Sequence, residues 1–203
     1  MQKYLKAIVD ILINYNFFSI PILISELFFF LRYKNQYNKF KYLNSNFLSD
    51  SIPCPFYFLK IIEKFIKKNK IKYICDLGSG YGKTLYFFGK IKNYYIDGVE
   101  LDREIYFDSL NLNCKKIRIY NQNILTFNLF KKKYDLLIVN DPLKKVSDFK
   151  KLISNIIKAG NKKIYIVLIN LDQKKIFAAI KYLKILERVQ ISGNKNIFFC
   201  VKK

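Results

Sequence analysis

The chain of 203 residues contains no histidine and no tryptophan. Without histidine there is no His-based triad, no Cys-His nucleophile pair and no ordinary zinc or haem centre. Its cysteines, Cys54, Cys75, Cys114 and Cys200, stand too far apart for a paired-ligand motif, so no metal is expected. Scattered thiols with no secretory cleavage pattern fit a reducing compartment. Arginine is scarce as well: only Arg32, Arg103, Arg118 and Arg188 accompany the lysines that bring the net charge to +22. Nucleic-acid readers rely on Arg forks and clustered stripes, whereas this lysine is spread over both halves of the chain. That pattern reads as a solvated Lys face, with nucleic acid a less favoured partner. Abundant Lys, Asn, Ile, Tyr and Phe are the residues of AT-rich codons. With 51% hydrophobic and 26% charged residues, the chain can bury a core and is not disordered. Its length suits one α/β domain with a short appendage.

Residues 11–31, ILINYNFFSIPILISELFFFL, form a 21-residue apolar stretch, and about 20 residues span a bilayer as a helix. Asn14, Asn16, Pro21 and Glu26 interrupt it. Lys3 and Lys6 precede it; Arg32, Lys34, Lys39 and Lys41 follow. The heavier downstream flank would keep the rest of the chain at the cytoplasmic face of a membrane. Association through 11–31 is therefore expected, either spanning the bilayer or lying on it as an interfacial helix. The remaining reading is a helix that caps the domain. A boundary near residue 50 divides an N-terminal hydrophobic segment and linker (1–50) from a main domain (51–203), since Ser51-Ile-Pro-Cys-Pro55 is a linker signal.

Beyond it, Phe58, Ile61, Ile62, Phe65 and Ile66 recur at helical spacing in 56–69. Strands are expected at 71–76, 95–100, 116–120, 134–140, 163–170 and 196–201, and helices at 82–91, 102–112, 144–158 and 172–182. Such alternation predicts a Rossmann-like, doubly wound α/β fold with a mostly parallel sheet. The closing strands lie close enough in sequence for an antiparallel pair.

The sharpest local feature is Tyr73-Ile-Cys-Asp76-Leu77-Gly78-Ser79-Gly80-Tyr-Gly82-Lys83-Thr84, a strand entering a glycine-rich turn and then a helical pattern. Glycines let backbone amides approach a ligand at a helix N-terminus. A dinucleotide fingerprint requires a third glycine where Lys83 stands. A phosphate loop matches Gly82-Lys83-Thr84 but has Leu77 where its first glycine belongs, and LLIVND (136–141) could serve as its acidic strand. The third pattern, D-x-G-x-G-x-G, is filled by Asp76, Gly78, Gly80 and Gly82. Glu100 follows Gly82 at close to the offset of roughly 20 residues expected for a ribose-binding carboxylate.

This arrangement resembles the class I S-adenosylmethionine (SAM)-dependent methyltransferases. The resemblance implies a seven-stranded sheet and SAM as cofactor. It also implies a cofactor site from Asp76, Leu77, Gly78, Ser79, Gly80 and Gly82, with Glu100 and Leu101 at the ribose. Asn123 and Ile124 would stand at the adenine, with Asn123 where the family often has Asp. Val139-Asn140-Asp141-Pro142 falls where that family builds its methyl-acceptor pocket, making Asn140 and Asp141 the candidate catalytic edge, with Asn140 also counted among the cofactor-binding residues. Pro53, Phe56 and Tyr57 would wall it.

The layout is also similar to the membrane-anchored protein-lysine methyltransferases that include the ATP synthase c-subunit lysine methyltransferase. It shares with them an N-terminal hydrophobic segment, a Pro-containing approach, Asp76-Leu-Gly-Ser-Gly80 and Gly98-Val-Glu100-Leu, and differs at Tyr81 and Lys83. That likeness implies a protein lysine acceptor, whose amine, near pKa 10.4, must shed its proton before attack. Methyl transfer is an in-line displacement that asks for positioning more than acid–base groups, so the lack of histidine is no obstacle. An RNA or small-molecule methyltransferase is the alternative within the class, and a P-loop nucleotide-binding protein the alternative outside it.

Overall fold

The computed structural model describes residues 19–33, 39, 41–43, 45–129, 132–158, 163–192 and 195–202. The apolar runs of the main domain form β1 (Tyr73–Leu77), β2 (Tyr95–Glu100), β3 (Ile117–Asn121), β4 (Leu136–Asn140) and β5 (Tyr165–Ile169), followed by β6 (Leu183–Ser192) and β7 (Lys195–Lys202). They make one seven-stranded sheet in the order β3-β2-β1-β4-β5-β7-β6. The first five strands pair in parallel, and β7 inserts antiparallel between β5 and β6. The doubly wound sheet expected from the strand–helix alternation is present; the expected closing strands, β5 and β7, pair antiparallel, and β6, absent from the expected strands, adds outside β7.

The helices are α1 (Ser19–Tyr33), α2 (Phe56–Lys68), α3 (Lys83–Leu85, continued by a π-helical segment Tyr86–Ile91), α4 (Arg103–Ser109), α5 (Val146–Lys158) and α6 (Gln173–Ile180). Their starts have local causes. The Asp102 carboxylate accepts from the Ile105 N–H at 3.0 Å and caps α4; Asp172 accepts from the Lys175 N–H at 2.9 Å and caps α6. Because side chains alternate across a strand, Ile74, Ile96, Ile117 and Ile138 point to one layer, packed with residues of α1, α2 and α3. Cys75, Leu77, Val99 and Leu137 point to the other, packed with α5 and α6.

Of the apolar stretch 11–31, residues 11–18 lie outside the described residues. The remainder enters α1, and among the described residues no helix is long and apolar enough to cross a membrane. Ile22 and Phe29 of α1 are fully buried and join the core beside α2, with Phe29 and Phe56 ring centroids 4.6 Å apart. On the same side, Glu26 accepts from the backbone N–H of Phe56 and forms an ion pair with Lys83 at 2.5 Å. The carboxylate that interrupts the apolar run is thereby paired and hydrogen-bonded, as a desolvated charge must be. Ile20, Ile24, Leu27, Phe28 and Leu31 remain exposed on the helix.

Candidate functional site

Parallel strands bring their carboxyl ends to one edge of the sheet, and the glycine turn lies there. After β1 the chain doubles back so that Gly78 N and Ser79 N donate to the Val99 carbonyl at 2.9 and 3.0 Å. Gly78 has φ +88°, and a Cβ on it would lie 2.5 Å from Cβ of Pro142; Gly80 has φ +53°, and its Cβ would lie 2.8 Å from Ser51 Oγ. Both positions exclude a side chain through backbone conformation and close approach together. The turn also reaches the end of β2: Glu100 Oε2 accepts from Gly80 N at 2.9 Å, and its Oε1 from Asp102 N at 2.8 Å. Loop and carboxylate, 20 residues apart, meet as the D-x-G-x-G-x-G spacing requires.

The two lysines lining the cradle, Lys39 and Lys83, are already paired, with Asp108 and Glu26. Asp76 is 3% exposed, and burial raises its carboxyl from 3.8 to about 8; a hydrogen bond from Thr84 opposes the rise and Glu100 adds to it. Burial also raises the Glu100 carboxyl, against the hydrogen bonds from the Asp102 and Gly80 amides. Ser79, 7% exposed, has a buried Oγ with no hydrogen-bond partner among the described residues. An orphaned hydroxyl and two desolvated carboxyls lacking a cation suit a ligand that carries positive charge and hydroxyl groups. They do not suit a triphosphate. Lys83, the cation a phosphate loop would use, is buried and held by Glu26.

A segment beyond the reach of sequence reasoning closes the site. Residues 41–43 and 45–53 double back, with Lys41 N donating to Ser51 O at 3.2 Å and Ser51 N to Lys41 O at 2.9 Å. This strap lies against the end of β4: Ser49 N donates to Pro142 O at 3.2 Å, and Asn140 Nδ2 to Ile52 O at 3.4 Å. Lys41 anchors it to the start of α4 through Asp102 (3.0 Å) and Glu104 (2.7 Å). The enclosed space beneath it is about 60 Å³.

Asp76, Gly78, Ser79, Gly80, Glu100, Leu101, Asn123, Ile124 and Asn140 all line that space. Leu77, Gly82 and Asp141 do not: Leu77 is fully buried in the core layer, and Gly82 precedes α3 with φ +87°. Asn123 Oδ1 accepts from Leu125 N at 2.9 Å. Asp141, at φ +41°, turns aside to pair with the buried Lys175 at 2.5 Å, so its charge is already matched. Asn170 donates through Nδ2 to Asn140 Oδ1 at 3.2 Å and fixes that amide, a role with no sequence signal. Of the expected wall, Pro53 lines the space, Phe56 packs into the core, and Tyr57 does neither.

No family model and no curated protein matches the chain. Among solved structures it is similar to a variant of MtNAS in complex with S-adenosylmethionine, at TM-score 0.57 and 12% identity, covering 71% of this chain and 61% of that one. The chain thus spans less than two thirds of MtNAS. It is also similar to magnesium protoporphyrin IX methyltransferase (ChlM) from Synechocystis PCC 6803 with bound SAM, at TM-score 0.58 and 12% identity, covering 72% and 79% of the two chains. A third is N-methyltransferase NodS from Bradyrhizobium japonicum WM9 in complex with S-adenosyl-L-homocysteine, at TM-score 0.57 and 13% identity, covering 70% and 83%. The sheet order 3-2-1-4-5-7-6, together with these likenesses, gives the chain the class I methyltransferase fold.

Proposed function

We propose that the protein is a SAM-dependent methyltransferase. The observation that carries this reading is the meeting of the Asp76–Gly82 turn with the Glu100 carboxylate at the carboxyl edge of the sheet, joined by the 2.9 Å bond to Gly80 N. In the proposed complex Asp76 and Ser79 Oγ hold the polar end of SAM, Glu100 and Leu101 the ribose, and Asn123 and Ile124 the adenine. A carboxylate has about four lone-pair sites, so Glu100 can keep its two backbone bonds and still accept from ribose hydroxyls. Bound there, SAM supplies an electrophilic methyl group.

Small-molecule sites occupy roughly 300–1,000 Å³, several times the space enclosed here. Binding therefore lifts the 41–53 strap off Gly80, and reclosure excludes water. On the acceptor side Asn140, fixed by Asn170, offers an amide beside Pro142. A neutral amine can be oriented there without an acid or base, because Lys175 neutralises Asp141. The acceptor proposed is a protein lysine, whose desolvation beneath the strap lowers its pKa towards the free amine. Neighbouring folds act on other acceptors; ChlM is a magnesium protoporphyrin IX methyltransferase.

The same reading attaches the protein to a membrane surface. Ile20, Ile24, Leu27, Phe28 and Leu31 recur at 0, 4, 7, 8 and 11 along α1 and are exposed, the stripe of a helix lying in the interface. Incubating an extract lacking the protein with purified enzyme and tritiated SAM tests the function. Label in protein at lysine supports the full reading, label in RNA or lipid moves the acceptor, and no label with any fraction contradicts it.

A further inference from the structure

At the opposite edge of the sheet the crossover from β3 to β4 carries no helix among its described residues. Among the described residues no helix of this crossover covers that face of β1, β2 and β3 at the amino ends of the strands. Parallel register places Tyr73, Tyr95 and Lys116 in one row at the rim of that face; in the next row Cys75 and Asp97 are buried and Arg118 is exposed. A cavity of about 480 Å³ opens there, lined by Tyr73, Tyr95, Lys115, Arg118, Lys133 and Tyr134 among others. From the glycine turn it is separated by the length of β1, five residues at about 3.3 Å each, or roughly 17 Å.

The chemistry of this face is one-sided. Tyr73 and Tyr95 are 48% and 40% exposed, yet their rings stack at 5.3 Å with 29° between planes. Stacked, each ring covers one face of the other, and Lys116 Nζ lies 5.2 Å from the Tyr95 centroid, so the half-exposed Tyr73 is the ring left for a base. Lys115, Arg118 and Lys133 are exposed, and none makes an ion pair among the described residues. The nearby carboxylates are consumed by the protein: Asp97 pairs with Lys132 and accepts from Tyr134 Oη at 2.6 Å, and Asp135 accepts from Lys72 N and Tyr73 N at 2.9 and 3.0 Å. What remains for a ligand is positive charge beside flat aromatic surface.

We infer that this sheet face is a docking site for single-stranded RNA. Unstacked bases lie on tyrosine rings whatever their sequence, and phosphates meet the unpaired cations. The cavity is large enough to admit a nucleotide-sized group. A bilayer surface, being flat, would leave this recess unfilled, and a duplex keeps its base faces hidden. The site is separate from the methyl-transfer site, and it makes a local cluster of cations that are scattered in sequence.

Fluorescence anisotropy of the full chain with a labelled oligouridylate of about 12 nucleotides, and with a duplex of equal length, tests the inference. The parent protein should bind the single strand more tightly than the duplex. Lys115→Glu/Arg118→Glu/Lys133→Glu should weaken single-strand binding at least about tenfold and shrink the salt slope by about 2, for three phosphate contacts. Tyr73→Ser/Tyr95→Ser should erase the preference for single strands. Lys64→Glu/Lys68→Glu/Lys174→Glu, an equal change of charge on exposed lysines elsewhere, should leave binding within about threefold. Thermal unfolding checks that each variant folds; should the triple variant fail, Arg118→Glu and Lys133→Glu carry the test singly, each with a several-fold loss. Equal losses in both triple variants, equal affinity for duplex and single strand, or retained RNA binding with loss of anionic-vesicle binding would each overturn the inference.

Discussion

Replacing Asp76 by asparagine separates the demands of folding from those of cofactor binding. Burial raises this carboxyl to about 8 in the folded protein, against 3.8 when unfolded. The folded state therefore holds its proton more tightly than the unfolded one, so this group's contribution to stability is fully present below about pH 4 and is lost as pH rises from about 4 to about 8. At pH 7 the loss amounts to about three pKa units, on the order of 4 kcal/mol. Asp76→Asn keeps the shape and has no charge to desolvate, so it should flatten this pH dependence and raise stability at pH 7 by up to roughly that amount. The proposed ligand reverses the preference, because its positive charge favours the ionised carboxyl. SAM binding at pH 7 should then release about 0.9 proton, the fraction still bound to a group of pKa 8. Calorimetry in two buffers of different ionisation heat measures this release. The variant should release none and bind SAM at least about tenfold more weakly. Undiminished affinity in Asp76→Asn, or no proton release by the parent, would refute the reasoning.

Other expectations follow from the packing. Lys83 and Glu26 are a buried pair, so Lys83→Met or Glu26→Leu alone should cost about 3–5 kcal/mol in denaturant unfolding, and the two together far less. Hydrogen exchange over residues 41–53 should rise transiently with SAM and fall in the ternary complex; a strap indifferent to SAM would contradict its role as a cover. Flotation with anionic vesicles should weaken several-fold for Ile24→Ser/Leu27→Ser/Leu31→Ser, and unchanged flotation would remove α1 from the membrane contact.

Strands buried on both faces announce themselves as apolar runs, and β1 to β5 fall within about two residues of where the sequence puts them. β6 does not. It lies at the sheet edge with most of its side chains exposed, and register shifts at Ile185/Glu187 and Gln190/Ser192 break the alternation that would mark it. The glycine turn and Glu100 were legible because one strand-to-helix turn and one neighbouring strand contain them. Glu26 was not, because its partner lies 57 residues away; read alone, it is a flaw in a membrane segment rather than one half of a buried pair. Lys175, 34 residues from Asp141, likewise gives no warning that the candidate catalytic carboxylate is already matched. The cations near Tyr73 come from two short segments, 115–118 and 132–133, that only the fold brings beside Tyr73 and Tyr95, which is why the lysines looked evenly spread.

The most direct measurement is calorimetric titration of the folded protein with SAM alongside Gly80→Arg and Glu100→Ala. Stoichiometric binding by the parent, none by Gly80→Arg and clearly weaker binding by Glu100→Ala is the predicted result. Equal binding by all three proteins, or none by the parent, would contradict the assignment of this turn and carboxylate to the cofactor.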